Sequence, residues 1–195
     1  FGHVVDVADE ASVDAIFAKI HHAEGSIDIL VNNAGIALRR PSVKLSLQDW
    51  QRVVDVNMTG VFLFARATGR FMVERGSGAV INVASIMGLS GGGLYPNISY
   101  QSTKGAVVNM TRALAVEWAA SGVRVNAVAP TWVETDLTAG LRDNPEFMDR
   151  AVSLTPARRL ARADEVANAI RFLASPAASM IVGHVLAVDG GFLAQ

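Results

Sequence analysis

The 195-residue chain contains no cysteine, which excludes disulfides and thiolate metal sites. An excess of one charge is also missing. The 17 Lys and Arg nearly balance the 18 Asp and Glu, for a net charge of −1, so no basic surface is offered to nucleic acid or an acidic membrane. No apolar run reaches the ~18 residues of a membrane span; the longest candidate, AVINVASIMG, is broken by Asn82 and Ser85. A signal peptide is not expected, because HVVDVADEAS is acidic where a basic region would stand. Four histidines (His3, His21, His22, His184) lack metal-ligand spacing, so no metal is expected. What is abundant is hydrophobic, 51% of the residues, and the length suits one domain with a substantial core. That balance fits a cytoplasmic protein. Phe1 stands where an initiator methionine would, so the chain is expected to begin inside a longer protein.

Apolar runs alternate with amphipathic stretches. HVVDV reads as the end of a strand, and DEASVDAIFAKIHHAEG as a helix with acidic residues in its first turn. IDILVNNAG is a buried strand running into a polar turn. Ser46 with Asp49 resembles a capping box opening one long helix that ends near Gly76 and Gly78. AVINVASI is the next strand, followed by a glycine-rich loop, MGLSGGGLYPNI, expected to be flexible. A second long helix runs from about Ser99 to Ala120, with Gly122 as its stop. VRVNAVAP, ADEVANAIRFLAS and GHVLAVDGG read as strand, helix and strand. Residues 131–162 are weakly patterned and polar, like a mobile lobe. Strands alternating with helices predict an α/β fold, a parallel sheet covered on both faces. Ligands of such sheets bind beyond the carboxyl ends of the strands, where NNAG, ASIMG and APTWVET lie.

Tyr100 and Lys104 are four residues apart on one helix face, so their side chains can meet. An ammonium near a phenol pulls its pKa down from ~10 and fits it for proton transfer. By spacing alone the pair reads first as an ordinary surface pair, since such spacing recurs by accident. Ser85, just past a strand, either donates to a substrate oxygen or caps its local backbone. Asn57, unfavourable inside a helix, is either a water ligand that kinks it or a satisfied polar residue. NNAG either admits a flat ligand closely or is only a turn.

Taken in order, NNAG (Asn32 to Gly35), VNMTG with Asn57, INVAS with Ser85, YQSTK, and VRVNAVAP resemble a short-chain dehydrogenase/reductase over nearly the whole chain. The resemblance implies a single Rossmann-like, doubly wound domain. It also implies hydride transfer between a secondary alcohol or ketone and NAD or NADP, with NAD the weak preference. Asn57, Ser85, Tyr100 and Lys104 occupy the family's catalytic positions. Tyr100 would be the acid/base, Ser85 would hold the substrate oxygen, Lys104 would tune the tyrosine and bond the nicotinamide ribose, and Asn57 would fix a water. Implied cofactor contacts are Asp6 and Val7 at the adenine, and Asn32, Ala34 and Gly35 on the adenosine side. Tyr100 and Lys104 contribute again, and Pro130, Val133 and Thr135 hold the carboxamide. Thr131 stands where the family often has glycine, which bears on pocket size. Family members usually pair through the two long helices, implying a homodimer or homotetramer.

The family's opening strand, glycine-rich turn and helix have no counterpart here, since nothing like TGxxxGxG is present. The chain therefore reads as lacking the fold's first βαβ unit, a piece of a protein roughly a quarter longer. Without that unit HVVDV has no partner, and IDILV shows a bare apolar edge. The fourteen residues 86–99 between Ser85 and Tyr100 are two more than many members carry. Such loops are similar to those of polyol and sugar-alcohol dehydrogenases, the first expectation for substrate. A 3-oxoacyl-thioester reductase is the alternative, with Arg39, Arg40, Arg158, Arg159 and Arg162 as a carrier-docking surface; a non-catalytic scaffold is the third. Trp132, Leu137, Leu141 and Phe147 form either a lid or the small core of their lobe.

Overall fold

The structure, a computed structural model, describes residues 2–92 and 94–195; Phe1, and Gly93 in the loop expected to be flexible, lie outside the described residues. Four parallel strands, β1 (Ile29–Asn32), β2 (Gly78–Val83), β3 (Val123–Pro130) and β4 (Val185–Val188), pair in chain order. Successive side chains of a strand point to opposite faces, and β2 shows the result. Val80 packs with α1 (Glu10–Glu24), α3 (Gly60–Arg75) and α4 (Ile98–Trp118) through Phe17, Met72 and Ala115. Ala79 and Ile81 face α7 (Ala163–Ala174) through Val166 and Leu173. Both faces of β2 and β3 are thus covered, which is why they read as continuous apolar runs, whereas β1 leaves the side of Ile29 and Val31 exposed. Among the described residues no helix is long and apolar enough to cross a membrane.

Two expectations change. HVVDV forms no strand: Val4 is wholly exposed, while Val5 packs against the core and Val7 lies against Gly60. A strand needs a hydrogen-bonding neighbour, and β1 is bonded only to β2. The long first helix is interrupted. Ser46 accepts from the Asp49 amide to open α2 (Leu47–Val54), and a π turn over Asp55–Thr59 precedes α3. Such a bulge redirects one residue out of the helical register, and here it buries Asn57 completely. Gly76 and Gly122 end their helices in left-handed backbone, as expected.

The polar lobe contains two helices, α5 (Asp136–Arg142) and α6 (Pro145–Ser153). Its core is Trp132, Phe147, Ala151 and Leu160, with Leu141 packed beside them, while Leu137 stays exposed. Trp132 meets Phe147 and Phe192 edge-on at 6.2 and 5.5 Å. Short helices with one apolar face each give a weak pattern in sequence, yet they suffice for a small cluster. The lobe's two ends lie side by side, with Val133 bridged to Ala161 and the Ala161 amide donating to the Trp132 carbonyl at 3.0 Å.

The half-buried Arg124 of β3 clamps the end of α7. It donates to the carbonyls of Leu173 at 2.7 Å, Ala174 at 3.1 Å, Ser175 at 3.2 Å and Ala178 at 3.1 Å. A cation at a helix C-terminus also complements the dipole. Arg124→Met removes these four bonds, leaving the Ala178 carbonyl only the Ile181 amide, and a loss of about 2 kcal/mol is expected. Urea unfolding would show a lower midpoint at unchanged slope; an unchanged midpoint would refute the clamp.

Candidate active site

One cavity of about 500 Å³ opens at the carboxyl ends of β1, β2 and β3. Asn33 and Gly35 enter it from the turn after β1, Ser85 from the turn after β2, and Pro130, Val133 and Thr135 from the end of β3 and beyond. Tyr100 and Lys104 reach it from the first turns of α4. Ser85 caps a short turn over Ile86–Gly88, its hydroxyl accepting from the Met87 amide at 3.1 Å. That turn rests directly on the backbone of α4. A Cβ on Gly88 would stand 2.6 Å from the Lys104 carbonyl carbon and oxygen, so only glycine allows the approach. The contact sets Ser85 against Tyr100.

Lys104 is 3% exposed, and its ammonium donates to the Val83 carbonyl at 2.6 Å. Burial lowers its pKa to about 8. The same nitrogen is 5.6 Å from the centre of the Tyr100 ring. Burial raises the Tyr100 phenol above its ordinary 10.0; the Ser85 hydroxyl pulls it back in part, Tyr95 adds to the rise and the Arg39 charge opposes it. The expected downward pull of Lys104 therefore does not set the direction in the protein by itself. The physical reason is that the lysine is desolvated too, and its ammonium is directed at a strand carbonyl.

Asn57 lies behind the cavity rather than in it. Its side-chain oxygen accepts from the Ile36 amide at 2.8 Å, while its amide donates to the Ile36 carbonyl at 2.9 Å and to Thr103 at 3.3 Å. It thereby pins the chain just after Gly35, where a Cβ would come 3.4 Å from Asn57 and 3.7 Å from the Lys104 nitrogen. The remaining expected contacts lie elsewhere. Val7, Asn32 and Ala34 line a small separate pocket of about 60 Å³ beside the start of α3. Asn32 turns its amide inward to Asn82 at 2.8 Å. Asp6 is on the surface, its carboxylate accepting from the Ala8 amide at 2.9 Å. The open approach at Gly35, with Lys104 facing it and Pro130, Val133 and Thr135 across the cavity, fits the nicotinamide end of a dinucleotide.

Sequence reasoning passed over three cavity residues, Tyr95, Asn97 and, as a site residue, Arg39. Their signal was position alone: each follows a strand end by a short loop. Thr131 is also in the wall, and its buried hydroxyl has no protein partner; the same holds for the Asn97 side-chain oxygen.

A parallel sheet whose strand ends gather a serine, a tyrosine and a lysine around one cavity is the arrangement of a dinucleotide-dependent oxidoreductase. Residues 2–193 match the family described as enoyl-(acyl carrier protein) reductase. A galactitol 2-dehydrogenase (L-tagatose-forming) of Cereibacter sphaeroides is 44% identical over 189 residues, 97% of this chain and 74% of that protein. A cis-4-hydroxycyclohexanecarboxylate dehydrogenase of Sinomonas cyclohexanicum is 47% identical over 190 residues, 97% of this chain and 75% of that protein. The crystal structure of a gluconate 5-dehydrogenase from Burkholderia cenocepacia, in complex with NADP and tartrate, superposes with a TM-score of 0.95 at 39% identity. It covers 98% of this chain and 74% of that one. The chain belongs to the short-chain dehydrogenase/reductase family. It is an oxidoreductase of NAD or NADP that acts on alcohol groups.

The Lys104 value has a consequence for stability. Unfolding returns the amine from about 8 to its ordinary 10.5, so between those values the unfolded chain binds more protons. The stabilising contribution is full above 10.5 and is lost as pH falls through 8. Unfolding free energy measured from pH 7 to 9.5, below the Tyr100 range, is expected to rise more steeply in the native protein than in Lys104→Met. Equal slopes would show that Lys104 is not buried as an ion.

Proposed function

We propose that the protein interconverts a secondary alcohol and a ketone of the polyol or sugar-alcohol class, with Tyr100 as the proton-transfer group. The carrying observation is the meeting of Ser85, Tyr100 and Lys104 around one cavity at the end of β2. When bound, the nicotinamide takes or gives the hydride. In the reductive direction the Tyr100 phenol gives its proton to the carbonyl oxygen, held by the Ser85 hydroxyl. In the oxidative direction the phenolate takes the hydroxyl proton. Lys104, titrating at about 8 beside the phenol, is placed to exchange that proton. Asn57 keeps the Gly35–Ile36 backbone in place beneath the cofactor.

The relatives named above support the alcohol class, and of the five arginines of the carrier-docking alternative only Arg39 and Arg158 have no carboxylate partner among the described residues. Arg159 pairs with Glu165 at 2.7 Å, Arg162 with Asp164 at 3.0 Å, and Arg40 lies 4.0 Å from Asp49. Tyr100→Phe is expected to lower turnover on a polyol panel by about 10²- to 10⁴-fold, with cofactor binding retained by nicotinamide fluorescence. Near wild-type turnover would refute the role, and initial rates with NAD and NADP test the expected preference for NAD.

The same reading includes pairing through the two long helices as a homodimer or homotetramer. Its support is an apolar face on α3 and α4, where Val116 is 83% and Phe62 43% exposed. Val116→Glu is expected to shift the sedimenting species to a smaller mass; a native protein that sediments as a monomer would refute the pairing.

A further inference from the structure

We infer that the cavity selects a substrate carrying a carboxylate, and that Arg39 is the residue that receives it. The inference rests on the dehydrogenase reading and, within the alcohols, moves its substrate from neutral polyols to hydroxy acids and their keto forms.

The cavity lining contains no Asp or Glu; its charged members are Lys104 and Arg39. Lys104 is committed to the Val83 carbonyl. Arg39 is held by other means. Its guanidinium lies 5.1 Å from the centre of the Tyr95 ring, and one of its nitrogens donates to the Leu137 carbonyl at 3.1 Å. An aromatic face and a carbonyl orient a cation without neutralising it. Among the described residues no carboxylate lies within 4.0 Å of it, and it is the arginine of the cavity lining. A guanidinium offers a planar fork of donors matched to a carboxylate. Arg39 spends one of its donors on Leu137 and keeps the rest.

Its place decides which end of the site it serves. Tyr95 belongs to the loop between Ser85 and Tyr100, and Leu137 to α5 of the lobe. Arg39 therefore stands between the loop before α4 and the lobe, with its charge felt at the Tyr100 phenol. An acid anchored there presents a hydroxyl further along its chain to Ser85 and Tyr100. A neutral polyol would leave the guanidinium facing an uncharged end.

The test uses matched pairs that differ in the acid group: D-gluconate against D-glucitol, and cis-4-hydroxycyclohexanecarboxylate against cis-4-methylcyclohexanol. With cofactor saturating, kcat/KM is expected to favour the acid of a pair. In Arg39→Gln the acid-to-neutral ratio is expected to fall by about tenfold or more, through KM rather than kcat, and Arg39→Lys should recover part of it. Calorimetric titration with the same compounds reads binding without turnover. Acid binding that is lost in Arg39→Gln would uphold the inference even if no pair were oxidised, an outcome that would count only against the dehydrogenase reading. An unchanged ratio in Arg39→Gln, a native preference for the neutral member, or a rise in cofactor KM alone would overturn it.

Discussion

The hydrogen bond from the Lys104 ammonium to the Val83 carbonyl is the joint on which the site hangs. It ties the first turns of α4 to the last residue of β2, with the lysine almost wholly buried at the cavity wall. A buried amine without a partner would be costly. The strand carbonyl supplies that partner, and the Gly88 contact closes the gap beside it. Ser85 and Tyr100 are brought together because the elements carrying them cannot separate without breaking this joint. The lowered pKa of the lysine is the price of its position, and the same desolvation keeps the neighbouring phenol protonated.

A second layer of polar contacts fixes the strand ends to the helix behind them. Asn32 donates to Asn82, Asn82 to Thr111, and Thr111 to the Val107 carbonyl within α4. Asn57 does the same for the chain after Gly35, from the π turn. These buried asparagines satisfy one another and the backbone, so they act as rigid spacers between sheet and helices. The cavity is consequently bounded by backbone held at several points.

Much of this was legible in the residues. Apolar runs marked β1 to β4, Gly76 and Gly122 marked helix ends, and Ser85, Tyr100 and Lys104 were placed together by the order of strand tails. What sequence did not carry was whatever depends on a neighbour. HVVDV has strand composition but no strand beside it. Asn57 was recognised as unusual, yet the π turn follows from where Ile36 lies, 21 residues away in the chain. Helices α5 and α6 are too short for a clear period, and their core takes Trp132 and Leu160 from outside them. Arg39 read as one surface arginine among five; its meaning comes from Tyr95 and Leu137, far apart in sequence.

The bridge between Val133 and Ala161 separates two kinds of change in this protein. Chain leaves the sheet and returns to it at nearly one point, so residues between can be lengthened, shortened or replaced while β3 and α7 keep their spacing. Ser85, Tyr100 and Lys104 are carried by the end of β2 and by α4, outside that loop of chain. Change in the segment can therefore proceed locally while these side chains, and Arg39, keep their places.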